Sequence, residues 1–186
     1  MPTISDKITH WEREIDRLTS DFVRAFGTLS PAQLNWQPRS GIWSIALIID
    51  HLITVNESYF PIPDQLRAGT YRLPLVARWG GYTRWMGRFI LKAVEPTRAR
   101  KMKTLPVWEP TQSELPGDML ARFEAHQQQL AQLIRSSEDL LQQGVVISSP
   151  ANRSIVYSLE TAFDIIITHE ARHYNQAVEV WQMQQG

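Results

Sequence analysis

Apolar residues recur along this chain at helical intervals. Ile8, Trp11, Ile15, Leu18, Phe22 and Phe26 fall at steps of three or four, which predicts one face of a long first helix. The stretch GTLSPAQLNWQPRSG breaks that pattern with Gly, Pro and Ser. A second helix is expected over WSIALIIDHLITVNESYF, with Ser44 as its N-cap and with Ile48, His51, Val55 and Ser58 or Tyr59 on a shared face. Pro61 and Pro63 should end or kink it.

Residues 64–112 read as a long crossover, rich in Gly, Pro and Arg, with one short helix over YTRWMGRFILKAV. Loops this long in compact domains are often functional. A third long helix is expected from about Ser113, with Met119, Phe123, His126, Leu130 and Leu133 on one stripe. QQGVVISSPANRS reads as a loop, and a last helix should run from about Ser158 almost to the end. Its stripe is Leu159, Ala162, Ile166, His169, His173, Gln176 and Val180. Four long amphipathic segments and no alternating strand predict an all-α, four-helix bundle with a long helix 2–3 crossover, in one domain spanning 1–186. A crossover of that length lets the second and third helices run parallel.

Composition narrows the function classes. At 43% hydrophobic and 20% charged the chain is an ordinary globular one. Lys plus Arg equals Asp plus Glu at 19 each, so no basic excess argues for nucleic acid or an anionic membrane surface, and the short basic stretch TRARKMK does not change that. The absence of cysteine excludes disulfides, Cys-ligated zinc and a thiol nucleophile belonging to the chain. The N-terminal residues carry no apolar signal core, and the runs IALIIDHLI and FDIIIT are too short to span a bilayer. A cytoplasmic location is the expectation by elimination.

The chemistry-bearing stretch is THEARHYNQ, residues 168–176. His169 and His173 lie four apart, so their imidazoles project the same way one helical turn apart and one divalent ion can bridge them. Both occupy positions where a core stripe expects Leu or Ile, and paired buried imidazoles are costly unless each nitrogen finds a partner. Hydrogen-bonded core histidines are the alternative. His51, on the inward face of the second helix, can bring a third imidazole to the same point, giving a three-histidine site with open positions for water or substrate. His126 is a reserve ligand, a residue supporting the ligands, or a core residue, and His10 is expected at the surface.

Read literally, His169, Glu170 and His173 spell the H-E-x-x-H helix of zinc peptidases. Such enzymes take a third ligand from further down the chain, yet only thirteen residues follow His173, without a further helix or a His-bearing turn. Glu179 is nearly two turns beyond His173 and points elsewhere. Glu170 is a group supporting the metal ligands, or a base, or a solvated surface carboxylate.

Two stretches resemble the DinB-like superfamily, which includes YfiT-type metal hydrolases and thiol-dependent transferases. LNWQPRSGIWSIALIIDHL, residues 34–52, is similar to the family's Trp-x-Pro turn followed by Trp-Ser-Ile opening a helix with His-Leu at its middle. HEARHYNQ, residues 169–176, is similar to its His-x-x-Arg-His-x-x-Gln. The resemblance implies an up-down-down-up bundle and a divalent metal on His51, His169 and His173. It further implies a thiol-dependent S-transferase or a hydrolase acting on a small molecule. Zinc and nickel both suit an all-imidazole site. Any thiol must be an external low-molecular-weight one. Tyr71, Trp79, Tyr82, Trp85 and Phe89, with Arg72, Arg78, Arg84 and Arg88, either contact such a thiol or cover the site, or are part core and part surface. A non-catalytic bundle that binds a ligand or partner is the alternative of a different class. Seven tryptophans make a homodimer through an exposed bundle face a further expectation.

Overall fold

The expected first helix is present as α1, Ile4–Phe26, in a computed structural model that describes residues 2–96, 106–109 and 114–186. Thr3 and Asp6 close a capping box at its start, and its six striped residues are all buried. A short helix α2, Pro31–Asn35, occupies the Pro/Ser-rich break. The second long helix is α3, Ile45–Glu57, capped where expected, with the Ser44 hydroxyl accepting from the Leu47 amide at 3.2 Å. Ile45, Ala46, Leu47, Ile48, Ile49 and Leu52 are all buried. Helix α3 is apolar around much of its circumference, which suits a helix enclosed by others.

The crossover is more regular than its composition suggests. Pro61 and Pro63 do not simply stop α3. They open a further short helix α4, Ile62–Arg67, because proline is tolerated in a first helical turn where no intrahelical N–H is needed. A 3-10 turn at Leu75–Arg78 and the helix α5, Gly80–Val94, follow, then a 3-10 turn at Pro106–Trp108. The basic stretch TRARKMK and Ser113, the expected helix start, lie outside the described residues. The next long helix, α6, runs over Met119–Ser136 and continues into the short α7, Glu138–Gln142.

The segment read as a plain loop contains a hairpin, and this corrects the expectation of no strand. β1, Val146–Ser149, pairs antiparallel with β2, Asn152–Ser158, with Ile147 opposite Tyr157 and Ser148 opposite Val156. The alternation was hidden because the buried β1 residues include two serines. The hairpin also ties down the crossover. The Tyr71 hydroxyl accepts from the Ser148 amide at 2.9 Å, and the Tyr82 hydroxyl donates to the Ser154 carbonyl at 3.2 Å. Strand β2 runs directly into α8, Leu159–Gln185, whose first turn is capped by Ser158. Helix α5 lies so close to this junction that a Cβ on Gly87 would stand 3.0 Å from Thr161 Cγ2 and 3.3 Å from the Tyr157 Cβ. Glycine there sets the approach.

The protein is thus mostly helical with one small two-stranded sheet. α1 and α3 each pack against both α6 and α8. The apolar interior divides into two clusters. One joins Trp11, Ile15, Leu18, Leu130, Ile134, Phe163 and Ile166. The other joins Phe22, Phe26, Leu52, Phe123, Ala177 and Val180. Along α6 and α8 the residues between these clusters are polar: His126 and Gln127 on one, Glu170 and His173 on the other. A polar layer therefore crosses the core, and it contains the candidate site.

Candidate metal centre

His51 stands on α3, and His169 and His173 stand one turn apart on α8. The structure brings all three together. Their ligand-capable nitrogens lie within 4.8 Å of one another, the one such group among the described residues. His169 Nε2 is 3.4 Å from His51 Nε2 and 3.0 Å from His173 Nε2. His51 and His173 are buried and His169 is partly exposed.

His51 and His173 also meet groups outside the trio. His51 Nδ1 is 2.9 Å from the Trp108 carbonyl, which can only accept. The proton therefore sits on Nδ1, and Nε2 turns a bare lone pair to the centre. Trp43 closes one side, its ring 4.9 Å from His51 and stacked on His173 at 6.2 Å and 17°. Burial holds all three imidazoles below the ordinary histidine pKa, and each is further lowered or held by its neighbours: His169 lies well below, through burial and then the His173 and His51 rings. His173 is pushed down to about 3, first by burial and then by His51. For His51 burial lowers the value and the Trp108 contact opposes it. Neutral imidazole is the form that ligates metal.

This arrangement fits a metal ion better than a hydrogen-bonded trio. At most one proton can lie between His169 and either neighbour, so three converging ring nitrogens cannot all be satisfied by one another. The outer nitrogens of His169 and His173 are buried without a hydrogen bond, though the Gln176 side chain lies beside His173 and favours its charged form. Metal–imidazole bonds of about 2.0–2.1 Å put neighbouring ligand nitrogens about 2.9 Å apart at right angles and about 3.3 Å apart in a tetrahedron. The two edges that meet at His169, 3.0 and 3.4 Å, are close to those values, and all three nitrogens lie within 4.8 Å of one another.

Glu170 is not a solvated carboxylate. It is fully buried, and its two oxygens accept from Asn56 Nδ2 at 2.7 Å and Gln127 Nε2 at 2.8 Å. Loss of water raises its pKa to about 7, against the two amide donors that pull it down. The signal for this existed: Glu170 continues the stripe of Phe163, Ile166 and Ala177, and Asn56 and Gln127 likewise stand at core positions of α3 and α6. Through them Glu170 pins α8 to both helices beside the histidine pair.

The remaining histidines stand apart. His126 is buried outside the cluster, stacked on Phe60 at 5.4 Å and 5°, with no partner on either nitrogen and with burial lowering its pKa to about 4. It is a core residue, not the reserve ligand. His10 is exposed and lines an open cleft of about 290 Å³ with Trp11 and Asp164. The Trp108 carbonyl and the Trp43 wall escaped the sequence reading, since a backbone acceptor on a distant turn leaves no residue-type signature. Arg172, next to His173, donates to the Ala93 carbonyl at 3.2 Å and so ties the end of α5 to α8 beside the centre.

Fold and site together define a mostly helical protein with a buried three-histidine cluster able to hold a metal ion. A family model described as the DinB superfamily matches residues 14–177. The chain belongs to the DinB superfamily. No curated protein and no solved structure matches it.

Proposed function

We propose that this protein is a divalent-metal-dependent enzyme acting on a small molecule, either a thiol-dependent S-transferase or a hydrolase, with His51, His169 and His173 as the metal ligands. The observation that carries the reading is the convergence of three imidazoles from two helices, with ring nitrogens within 4.8 Å of one another and His169 Nε2 3.4 Å and 3.0 Å from those of His51 and His173. An all-imidazole donor set suits zinc or nickel. When bound, the ion supplies a positive charge that lowers the pKa of a water or thiol ligand.

The chain's own residues prepare that chemistry. The Trp108 carbonyl fixes the tautomer of His51, Glu170 with Asn56 and Gln127 fixes the rotation of α8, and Trp43 keeps water from one side. Substrate approaches over the partly exposed His169. The chain holds no cysteine, so a thiol co-substrate is external. The up-down-down-up order of a four-helix bundle belongs to the same proposal, supported by the packing of α1 and α3 on both α6 and α8. A peptidase mechanism has little support, because both oxygens of Glu170 are engaged in the core and neither is turned to a reacting water.

A second reading, a ligand-binding bundle without catalysis, is favoured by the closure of the site, where His51 and His173 are 2% and 8% exposed. The test is to measure metal in freshly purified protein, then incubate metal-loaded protein with low-molecular-weight thiols and an electrophile. Thiol consumption that disappears in His51→Ala supports the transferase. Hydrolysis of an ester or amide panel that disappears in the same variant supports the hydrolase. Bound metal without either turnover supports the second reading, and no bound metal removes the enzyme proposal.

A further inference from the structure

The balance of 19 cationic against 19 anionic residues conceals a strong segregation. Between Ala68 and Val94 there are five cations, Arg72, Arg78, Arg84, Arg88 and Lys92, and no Asp or Glu. All five are exposed. Arg72, Arg78, Arg84 and Arg88 have no ion-pair partner among the described residues.

The same segment carries most of the exposed large apolar side chains. Leu73, Leu75, Trp79, Trp85 and Phe89 are 43%, 78%, 72%, 53% and 50% exposed. Trp85 and Phe89 form a ridge on α5; Trp79 stands at its N-cap, and Leu73 and Leu75 lie in the segment that leads to it. Trp85 stacks on Phe89 at 5.7 Å and 17°, and Tyr82 lies 6.0 Å on the other side of Trp85. The opposite face of α5, with Thr83, Gly87 and Ala93, is buried against β2 and α8. The ridge is therefore held rigidly outward rather than waiting to fold inward. Exposed tryptophans and leucines cost solubility without returning packing energy, and contiguous patches of them mark interaction surfaces.

We propose that this ridge is a docking face for an anionic lipid surface. Exposed Trp and Phe on one side of α5, with exposed Trp and Leu in the segment leading into it, among arginines and free of acids, match what lies in the headgroup region of a bilayer. Charge selects the occupant. A second copy applying the same face to itself would set five cations against five cations. Nucleic acid satisfies the charge and can stack on Trp79 and Trp85, but it offers nothing to Leu73 and Leu75. A lipid surface satisfies both and needs no matching groove. No helix among the described residues is long and apolar enough to cross a membrane, so the contact is peripheral. This inference is independent of the metal and of the reaction.

The experiment is flotation of the full chain with vesicles of phosphatidylcholine alone or of equimolar phosphatidylcholine and phosphatidylglycerol. Sedimentation velocity of the same samples without lipid accompanies it. The chain should float with the anionic vesicles only, and about 0.5 M salt should release it, since screening shortens the reach of the arginines. Arg84→Glu with Arg88→Glu should weaken partitioning by at least about thirtyfold, because each lost cation near the surface is worth roughly fivefold. Trp79→Ser with Trp85→Ser should abolish flotation. Circular dichroism and metal content should be unchanged in both variants, as these side chains touch none of the three histidines. Failure to float with anionic vesicles overturns the proposal, as does equal binding of both vesicle types. A dimer that dissociates in Trp79→Ser/Trp85→Ser assigns the ridge to a second copy, and retention of single-stranded nucleic acid without lipid binding assigns it to nucleic acid. Either result also overturns it.

Discussion

Replacing His126 with leucine should stabilise the protein, and more so in acid. Both ring nitrogens of His126 are buried without a protein partner, and the residue is 3% exposed. A buried unsatisfied donor costs about 1–3 kcal/mol, which leucine removes; loss of the flat stack on Phe60 returns about 0.5–1 kcal/mol. The net gain near pH 7.5 is about 1 kcal/mol. Proton linkage adds to it. The unfolded histidine takes its proton near 6.5, whereas burial delays protonation in the folded state to about 4. Over that interval the unfolded state binds more protons, so this group's contribution to stability is intact above 6.5 and is lost as pH falls towards 4. At about 1.4 kcal/mol per pKa unit, the full loss is about 3 kcal/mol, of which about 2 kcal/mol has gone by pH 5. His126→Leu cannot suffer it. Urea unfolding of chelator-treated wild type and variant at pH 7.5, 6 and 5 measures the difference, in which the titrations shared by both proteins cancel. A stability difference that stays flat across that range, or a variant weaker than wild type throughout, refutes the account of His126 as an unsatisfied core histidine.

Single alanine replacements of His51, His169 or His173 should each reduce stoichiometric metal, read by elemental analysis, by at least tenfold, since two imidazoles leave an incomplete donor set. They should also remove the rise in melting temperature that added metal gives the wild type. Glu170→Gln should cost less than about 1 kcal/mol in urea unfolding. Asn56 Oδ1 and Gln127 Oε1 are buried without partners, so one of those amides can turn and accept from the new donor. Glu170→Ala, which leaves two buried donors unmatched, should cost about 2–4 kcal/mol in the same assay. Gly87→Leu should destabilise by about 1–3 kcal/mol, because a side chain there meets Thr161 and Tyr157 and must push α5 from the hairpin.

The sequence by itself determined the long helices and the three histidines of the candidate site. Each buried face of α1, α6 and α8 appears as a three-or-four step of apolar residues because helix geometry converts that spacing into one side of a cylinder. Ser44 and Ser158 announced two helix starts, because a cap acts within a single turn. His51, His169 and His173 were legible for the same local reason: a histidine on an apolar stripe points inward. What the tertiary structure alone decided is everything that depends on who faces whom. The hairpin was hidden because buried Ser148 and Ser149 erase the alternation that marks a strand. The carbonyl of Trp108, a residue far along the chain, sets the tautomer of His51. For Glu170 the sequence left open a group supporting the histidine pair, a base, or a surface acid; Asn56 and Gln127, from two other helices, hold both its oxygens in the core and exclude the last. His126 and His51 share the same sequence signature, yet only one meets the pair on α8. Periodicity fixes the direction of a side chain from its own helix axis; the packing of the helices against one another fixes what stands at the end of it.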